Sequence, residues 1–124
     1  MGINNRGFIH TGNGNDIITG TSSSGGYIGI NNARDASINT GDGDDTITAF
    51  GTGDAIVNNG TINTGNGNDS IITSYGDFYS TGSVFLGDGT DYLKGFGDGS
   101  FDGGNGTDTL DLKQGYYTIR ISER

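Results

Sequence analysis

The chain has 124 residues, about one domain's worth, and only 30% of them are apolar, which excludes a large layered core. Fifteen acidic against six basic side chains give a net charge of −9, so nucleic acid is not expected as a partner and a cation is. Cysteine is absent, which removes disulfides and thiolate metal sites, and no apolar run is long enough for a membrane span.

The opening ten residues, MGINNRGFIH, lack the basic-then-apolar build of a cleaved secretory signal. Directly after them comes Gly12-Asn13-Gly14-Asn15-Asp16, the first of five segments that align without gaps. The others are Gly41-Asp42-Gly43-Asp44-Asp45, Gly65-Asn66-Gly67-Asn68-Asp69, Gly87-Asp88-Gly89-Thr90-Asp91 and Gly104-Asn105-Gly106-Thr107-Asp108. Each aspartate is followed two residues on by an aliphatic residue, in turn Ile18, Ile47, Ile71, Leu93 and Leu110. Three residues before each first glycine stands another apolar residue: Ile9, Ile38, Ile62, Val84 and Phe101. A glycine-requiring turn therefore separates two short β-like pieces in every unit.

Between the turns a third apolar column emerges. Ile56 precedes Ile62 as Phe78 precedes Val84, which aligns Asn58 with Ser80; Ile30 and Asn32 take the same places if Arg34-Asp35 is an insertion. Three short strands and three corners per unit predict a coil. None of these strands can bury an apolar face alone, but stacked units make the isoleucines a continuous inner column. The expected fold is all-β: a right-handed parallel β-helix with three-sided early coils. Successive turns start 29, 24, 22 and finally 17 residues apart. The last spacing leaves room between Leu93 and Phe101 for one corner and no third strand, so that end is expected to flatten into a β-roll. In the tail, Tyr117, Ile119 and Ile121 alternate with Thr118, Arg120 and Ser122 as a half-buried strand does. Residues 1–112 thus read as the solenoid and 113–124 as a strand capping it against edge pairing.

The turn itself points to chemistry. Glycine accepts positive φ without a Cβ clash, two alternating glycines bring carbonyl oxygens together, and the closing aspartate adds a carboxylate. Turns above and below offer the same set at a strand spacing of ~4.8 Å, where neighbouring carboxylates repel by about 1 kcal/mol in water. Such an all-oxygen cage suits a hard cation, and its flexible build suits Ca²⁺ better than Mg²⁺. Five stacked turns leave four gaps, and a divalent ion in each would nearly cancel the −9.

These turns resemble the glycine-and-aspartate nonapeptide of the repeats-in-toxin family, Gly-Gly-x-Gly-x-Asp-x-aliphatic-x, which binds Ca²⁺ in a parallel β-roll. The nearest match is DGGNGTDTL at 102–110, with the double glycine Gly103-Gly104; the other four copies carry Thr11, Thr40, Thr64 or Leu86 at the first glycine, and their spacing exceeds the family's. The resemblance implies that Asp16, Asp45, Asp69, Asp91 and Asp108 supply side-chain ligands. It also implies carbonyl ligands from Gly12, Gly14, Gly41, Gly43, Gly65, Gly67, Gly87, Gly89, Gly104 and Gly106. It further implies a bacterial protein, extracellular or on the cell surface, exported in one step and folded by calcium outside the cell.

Asp42, Asp44, Asp88 and Asn15, at the x positions, read as solvated turn residues, and Asp102 as a turn former or a marginal ligand. The sole histidine, His10, takes the place of Asn39 and Asn63 and reads as an ordinary outward residue. Carboxylates spread over every coil do not meet in one cleft, so no catalytic activity is expected. Two alternatives stand beside the calcium module. One is ice or carbohydrate binding by an outer face; the row Thr19, Thr48, Ile72, Lys94, Asp111 argues against ice. The other is a piece of a larger exported enzyme or toxin.

Overall fold

The computed structural model describes residues 2–113 and 117–120. The described residues form β1 (Ile3–Asn5), β2 (Phe8–His10), β3 (Ile17–Ser22), β4 (Ile30–Asn32), β5 (Ser37–Asn39), β6 (Thr46–Asn58) and β7 (Thr61–Asn63). They continue as β8 (Ser70–Ser80), β9 (Ser83–Phe85), β10 (Asp88–Gly89), β11 (Tyr92–Asp102), β12 (Asn105–Gly106), β13 (Thr109–Leu112) and β14 (Tyr117–Arg120). No helix occurs among them, and hence none long and apolar enough to cross a membrane.

Every strand pairing is parallel, as a coil stacked on the next coil requires. One face stacks β3, the start of β6, the start of β8, the start of β11 and β13, placing Ile18, Ile47, Ile71, Leu93 and Leu110 in one row. A second stacks β1, β4 and the ends of β6 and β8, with Ile3, Ile30, Ile56 and Phe78 in line. The third stacks β2, β5, β7 and β9, with Ile9, Ile38, Ile62 and Val84 in line. The parallel β-helix and its three apolar columns are those expected from the repeat. So is the register of the second unit: Ile30 faces Ile56 and Asn32 faces Asn58, while Arg34-Asp35 lies in a lengthened corner where Asp35 takes a φ of 63°.

Sealing of the interior follows from stacking. The middle members of each column are buried, whereas Ile3, Ile9, Leu110 and Leu112 at the two ends are only partly so, because each has a neighbouring coil on one side. The ten positions from Ile9 to Ile18 recur as Ile38 to Ile47, Ile62 to Ile71, Val84 to Leu93 and Phe101 to Leu110. All the shrinkage of the coils happens elsewhere, chiefly in the corner between the first and second faces, where the β6–β8 register slips between Ala49 and Ile56. The glycine corner is therefore the constant part of the molecule.

Toward the C-terminal end the coil shortens: β11 runs unbroken from Tyr92 to Asp102 and meets the three faces in turn, Tyr92–Lys94 pairing with the first, Phe96 and Asp98 with Phe78 and Tyr79 of the second, and Asp102 with Phe85 of the third. β14 lies on the end of the stack, with Ile119 opposite Phe101. Ile121 and Ser122, which extend that strand's alternation, fall outside the described residues.

Candidate metal centre

The corner between the third and first faces carries the repeated motif. All ten motif glycines have positive φ, from 79° at Gly104 to 147° at Gly89, a region that L residues rarely adopt. Stacking adds a second demand in the middle of the ladder: a Cβ on Gly65 would lie 1.9 Å from the Gly41 carbonyl oxygen, and one on Gly67 would lie 2.0 Å from that of Gly43. Bare backbone is what lets the corners sit one strand spacing apart.

Between the glycines, Asn13, Asp42, Asn66, Asp88 and Asn105 bridge in parallel from coil to coil. The first glycine's carbonyl accepts from the next coil: Asp42 N–H to Gly12 O at 3.2 Å, Asn66 N–H to Gly41 O at 3.2 Å, Asp88 N–H to Gly65 O at 3.0 Å and Asn105 N–H to Gly87 O at 3.1 Å. Those oxygens already hold coils together, so at least one of their two lone pairs is engaged.

The motif aspartates form their own ladder. Asp45 Oδ1 accepts the Asp16 N–H, Asp69 Oδ1 the Asp45 N–H and Asp91 Oδ1 the Asp69 N–H, each at 2.8 Å, and Asp108 Oδ1 accepts the Asp91 N–H at 3.1 Å. The second oxygen has no such role. Oδ2 of Asp16, Asp45, Asp69 and Asp91 is buried, and no hydrogen-bond donor among the described residues reaches it. Asp45, Asp69 and Asp91 are at most 1% exposed. A row of half-satisfied carboxylates runs the length of the corner, in a place where an unpartnered anionic oxygen is costly.

Electrostatics registers the same strain. Burial holds the Asp69 carboxyl above its ordinary range, with the Asp45 N–H bond opposing and the charges of Asp45 and Asp44 adding to it. At Asp91 burial pushes the value from 3.8 up to about 7, partly offset by the Asp69 N–H and reinforced by the carboxylates of Asp108, Asp69 and Asp88. Either a proton or a cation relieves both groups.

The five sequence-predicted aspartates and ten glycines thus fall in one stacked corner. Among the described residues no three His, Asp or Glu side chains form a group able to hold a metal ion by themselves. A cation here would draw on carboxylates from adjacent coils and on backbone oxygens. The x-position residues are exposed, as expected of turn residues, and they are also ordered. Asn15 Oδ1 accepts the Asp44 N–H, Asp44 Oδ1 the Asn68 N–H and Asn68 Oδ1 the Thr90 N–H, at 2.8, 2.8 and 2.9 Å. Asp102 Oδ1 accepts the Gly104 N–H at 2.9 Å, a turn former's bond. His10 is exposed and opposite Asn39.

Sequence reasoning passed over Thr40 and Thr64. Their hydroxyls are buried and donate to Thr64 O at 3.0 Å and Leu86 O at 2.7 Å, lining the corner beside the aspartates. The signal was present as threonine at the place of the family's first glycine. No protein-family model, no curated protein and no solved structure matches this protein.

Proposed function

We infer that the protein is a calcium-binding repeat module whose coils close when Ca²⁺ enters the glycine corner. The observation that supports this is the row of four buried, unpartnered Oδ2 atoms on Asp16, Asp45, Asp69 and Asp91. Their partner must be electropositive, must fit between coils and must be satisfied by oxygen alone, since no sulfur and no imidazole lies in the corner. A hard divalent ion meets those conditions, and Ca²⁺ tolerates carboxylate, carbonyl and water oxygens in irregular number. The net charge of −9 supports the same reading, because self-repulsion opposes the compact state until cations offset it.

Calcium sites of extracellular modules work at about 10⁻⁴ to 10⁻³ M, and a module of that class fits a secreted or surface protein of a bacterium. Its role is then structural: order is gained where calcium is plentiful. The reading assigns the ladder no catalytic step, since its carboxylates are spread along the stack and share no cleft. Calorimetric titration of the metal-free protein with CaCl₂, run beside circular dichroism, tests the reading. Heat release and a gain of β signal are expected together. Unchanged spectra and no heat at millimolar calcium would overturn it.

A further inference from the structure

The outward column of the glycine corner alternates Asn13, Asp42, Asn66, Asp88, Asn105, so that every carboxylate has an amide on each side. Asn66 Nδ2 donates to Asp42 Oδ1 at 3.0 Å and Asn105 Nδ2 to Asp88 Oδ1 at 2.7 Å. Each of these asparagines is followed by glycine. Asparagine is a thermolabile residue, and a following residue without Cβ leaves the backbone nitrogen least shielded from the asparagine Cγ. In the stack that nitrogen is occupied: Gly67 N–H donates to Asp88 O and Gly14 N–H to Asp42 O, both at 2.8 Å.

We propose that Asn66 is a modification site, a spontaneous deamidation site that coil stacking holds shut and unstacking opens. Once the Gly67 N–H···O bond and the Asn66–Asp42 bond are both lost, Gly67 N bonds to Asn66 Cγ and the Cγ–Nδ2 bond breaks. Nδ2 leaves as ammonia, carrying the proton that Gly67 N gives up. Water then opens the cyclic imide at one carbonyl or the other, leaving aspartate or isoaspartate at position 66. Neither product suits the ladder. Aspartate there puts three carboxylates in succession with those of Asp42 and Asp88, at ~4.8 Å spacing. Isoaspartate adds a methylene to the backbone of a corner so close-stacked that a Cβ on Gly67 would already strike the Gly43 carbonyl. The modification therefore records, one way, the time the corner has spent open. It does not depend on which cation, if any, closes the ladder, because the protecting bonds are between protein atoms.

The test is peptide mapping by mass spectrometry after incubation of the full-length protein in mildly alkaline buffer with calcium, with chelator and in urea, circular dichroism recording the fold in each. A short peptide containing Asn-Gly-Asn-Asp serves as the clock. Wherever the spectrum is β, conversion at Asn66 is expected to run roughly tenfold or more below the peptide and the urea sample. Equal rates in a β-folded sample overturn the proposal, and so does a protein without β signal in any buffer, since no stack then exists to protect. Asn66→Gln should abolish the mass change at this position. Asn66→Asp should lower the urea midpoint of the folded state; an unshifted midpoint overturns the claim that the product disfavours stacking.

Discussion

Two corners of the coil solve the same problem with side chains that differ by one atom. Between the second and third faces, Asn5 donates to Asn32, Asn32 to Asn58 and Asn58 to Ser80, at 2.8, 2.8 and 3.1 Å. The same amides also reach the backbone oxygens of Ser37, Thr61 and Ser83. An amide both donates and accepts, so this buried ladder closes on itself and needs nothing else. In the glycine corner the stacked residue is aspartate, an acceptor only when ionised, and Asp16, Asp45, Asp69 and Asp91 each leave a buried oxygen over. One corner is complete as protein; the other leaves buried acceptor oxygens without a hydrogen-bond donor.

The largest effect should come from breaking the glycine corner outright. Gly65→Ala combines a φ of +95° with a Cβ 1.9 Å from the Gly41 oxygen, and backbone cannot move aside without separating coils. A loss of more than about 4 kcal/mol, read as failure to reach the β spectrum even in calcium, is expected. Gly12 sharpens the result: it has a φ of +102° but open space where a Cβ would go, so Gly12→Ala isolates the conformational cost, about 1–2 kcal/mol by urea denaturation. Equal losses at the two positions would mean that coil-to-coil contact is not what the central glycine protects.

Next in size is the amide corner. Asn58→Ala removes two donated bonds and one accepted bond from a fully buried site, which should cost about 2–4 kcal/mol. The loss should be the same with calcium and with chelator, because that ladder has no ionic partner. Asp69→Asn does the reverse, turning one acid rung into an amide rung. It keeps the Oδ1 that accepts the Asp45 N–H and removes a charge that is buried beside the Asp45 and Asp44 carboxylates. In chelator the variant should gain about 1–3 kcal/mol over the parent, and its calcium dependence should weaken. Destabilisation of equal size in both buffers would show that charge is not what separates the two corners.

The pH profile follows from Asp91. Its carboxyl keeps a proton up to about pH 7 in the fold against 3.8 as the unperturbed value, so the folded state binds more protons across that window. Metal-free stability should therefore be full below about pH 4 and decline as pH rises toward about 7. Urea midpoints in chelator across that range should fall, and Asp91→Asn should flatten the slope. If calcium binds as proposed, it competes with the proton for the same oxygens, and with the ion present the decline should shrink or reverse.

Much of this architecture is legible in the sequence because a solenoid writes its register as a repeat. Ile38, Ile62 and Val84 align in the sequence and lie side by side in the sheet, and even the Arg34-Asp35 insertion is visible as a gap in an otherwise regular column. The site was legible as composition and position: glycine for the corner, aspartate for charge. Which oxygen of each aspartate is tied to which coil was not, since that depends on the rotamer and on the direction of stacking, neither of which alters the spacing of letters. The amide ladder was half visible, as Asn58 aligned with Ser80 without a reason. Burial supplies the reason, and burial of a polar residue is what an apolar-column search passes over. The corner between the first and second faces was the least legible, because its length changes in every coil and no column crosses it.

That variable corner gives the smallest expected effect and the cleanest contrast with the aspartate ladder. Lys113 Nζ sits 2.9 Å from Asp77 Oδ1 and 3.0 Å from Gly76 O, so here too a cation meets a carboxylate and a carbonyl. But both side chains are about half exposed, at 44% and 62%, and water already solvates the charges before they meet. Exposed ion pairs of this kind contribute about 0.2–1 kcal/mol and are screened by salt. Lys113→Ala should accordingly move the urea midpoint by less than about 0.5 kcal/mol equivalent, and moderate salt should erase even that. The same salt should leave the calcium response of the glycine corner largely intact, because its carboxylates are buried and little screened. A large salt-sensitive loss at Lys113 would place the electrostatic control of the fold in this outer corner and take it away from the ladder.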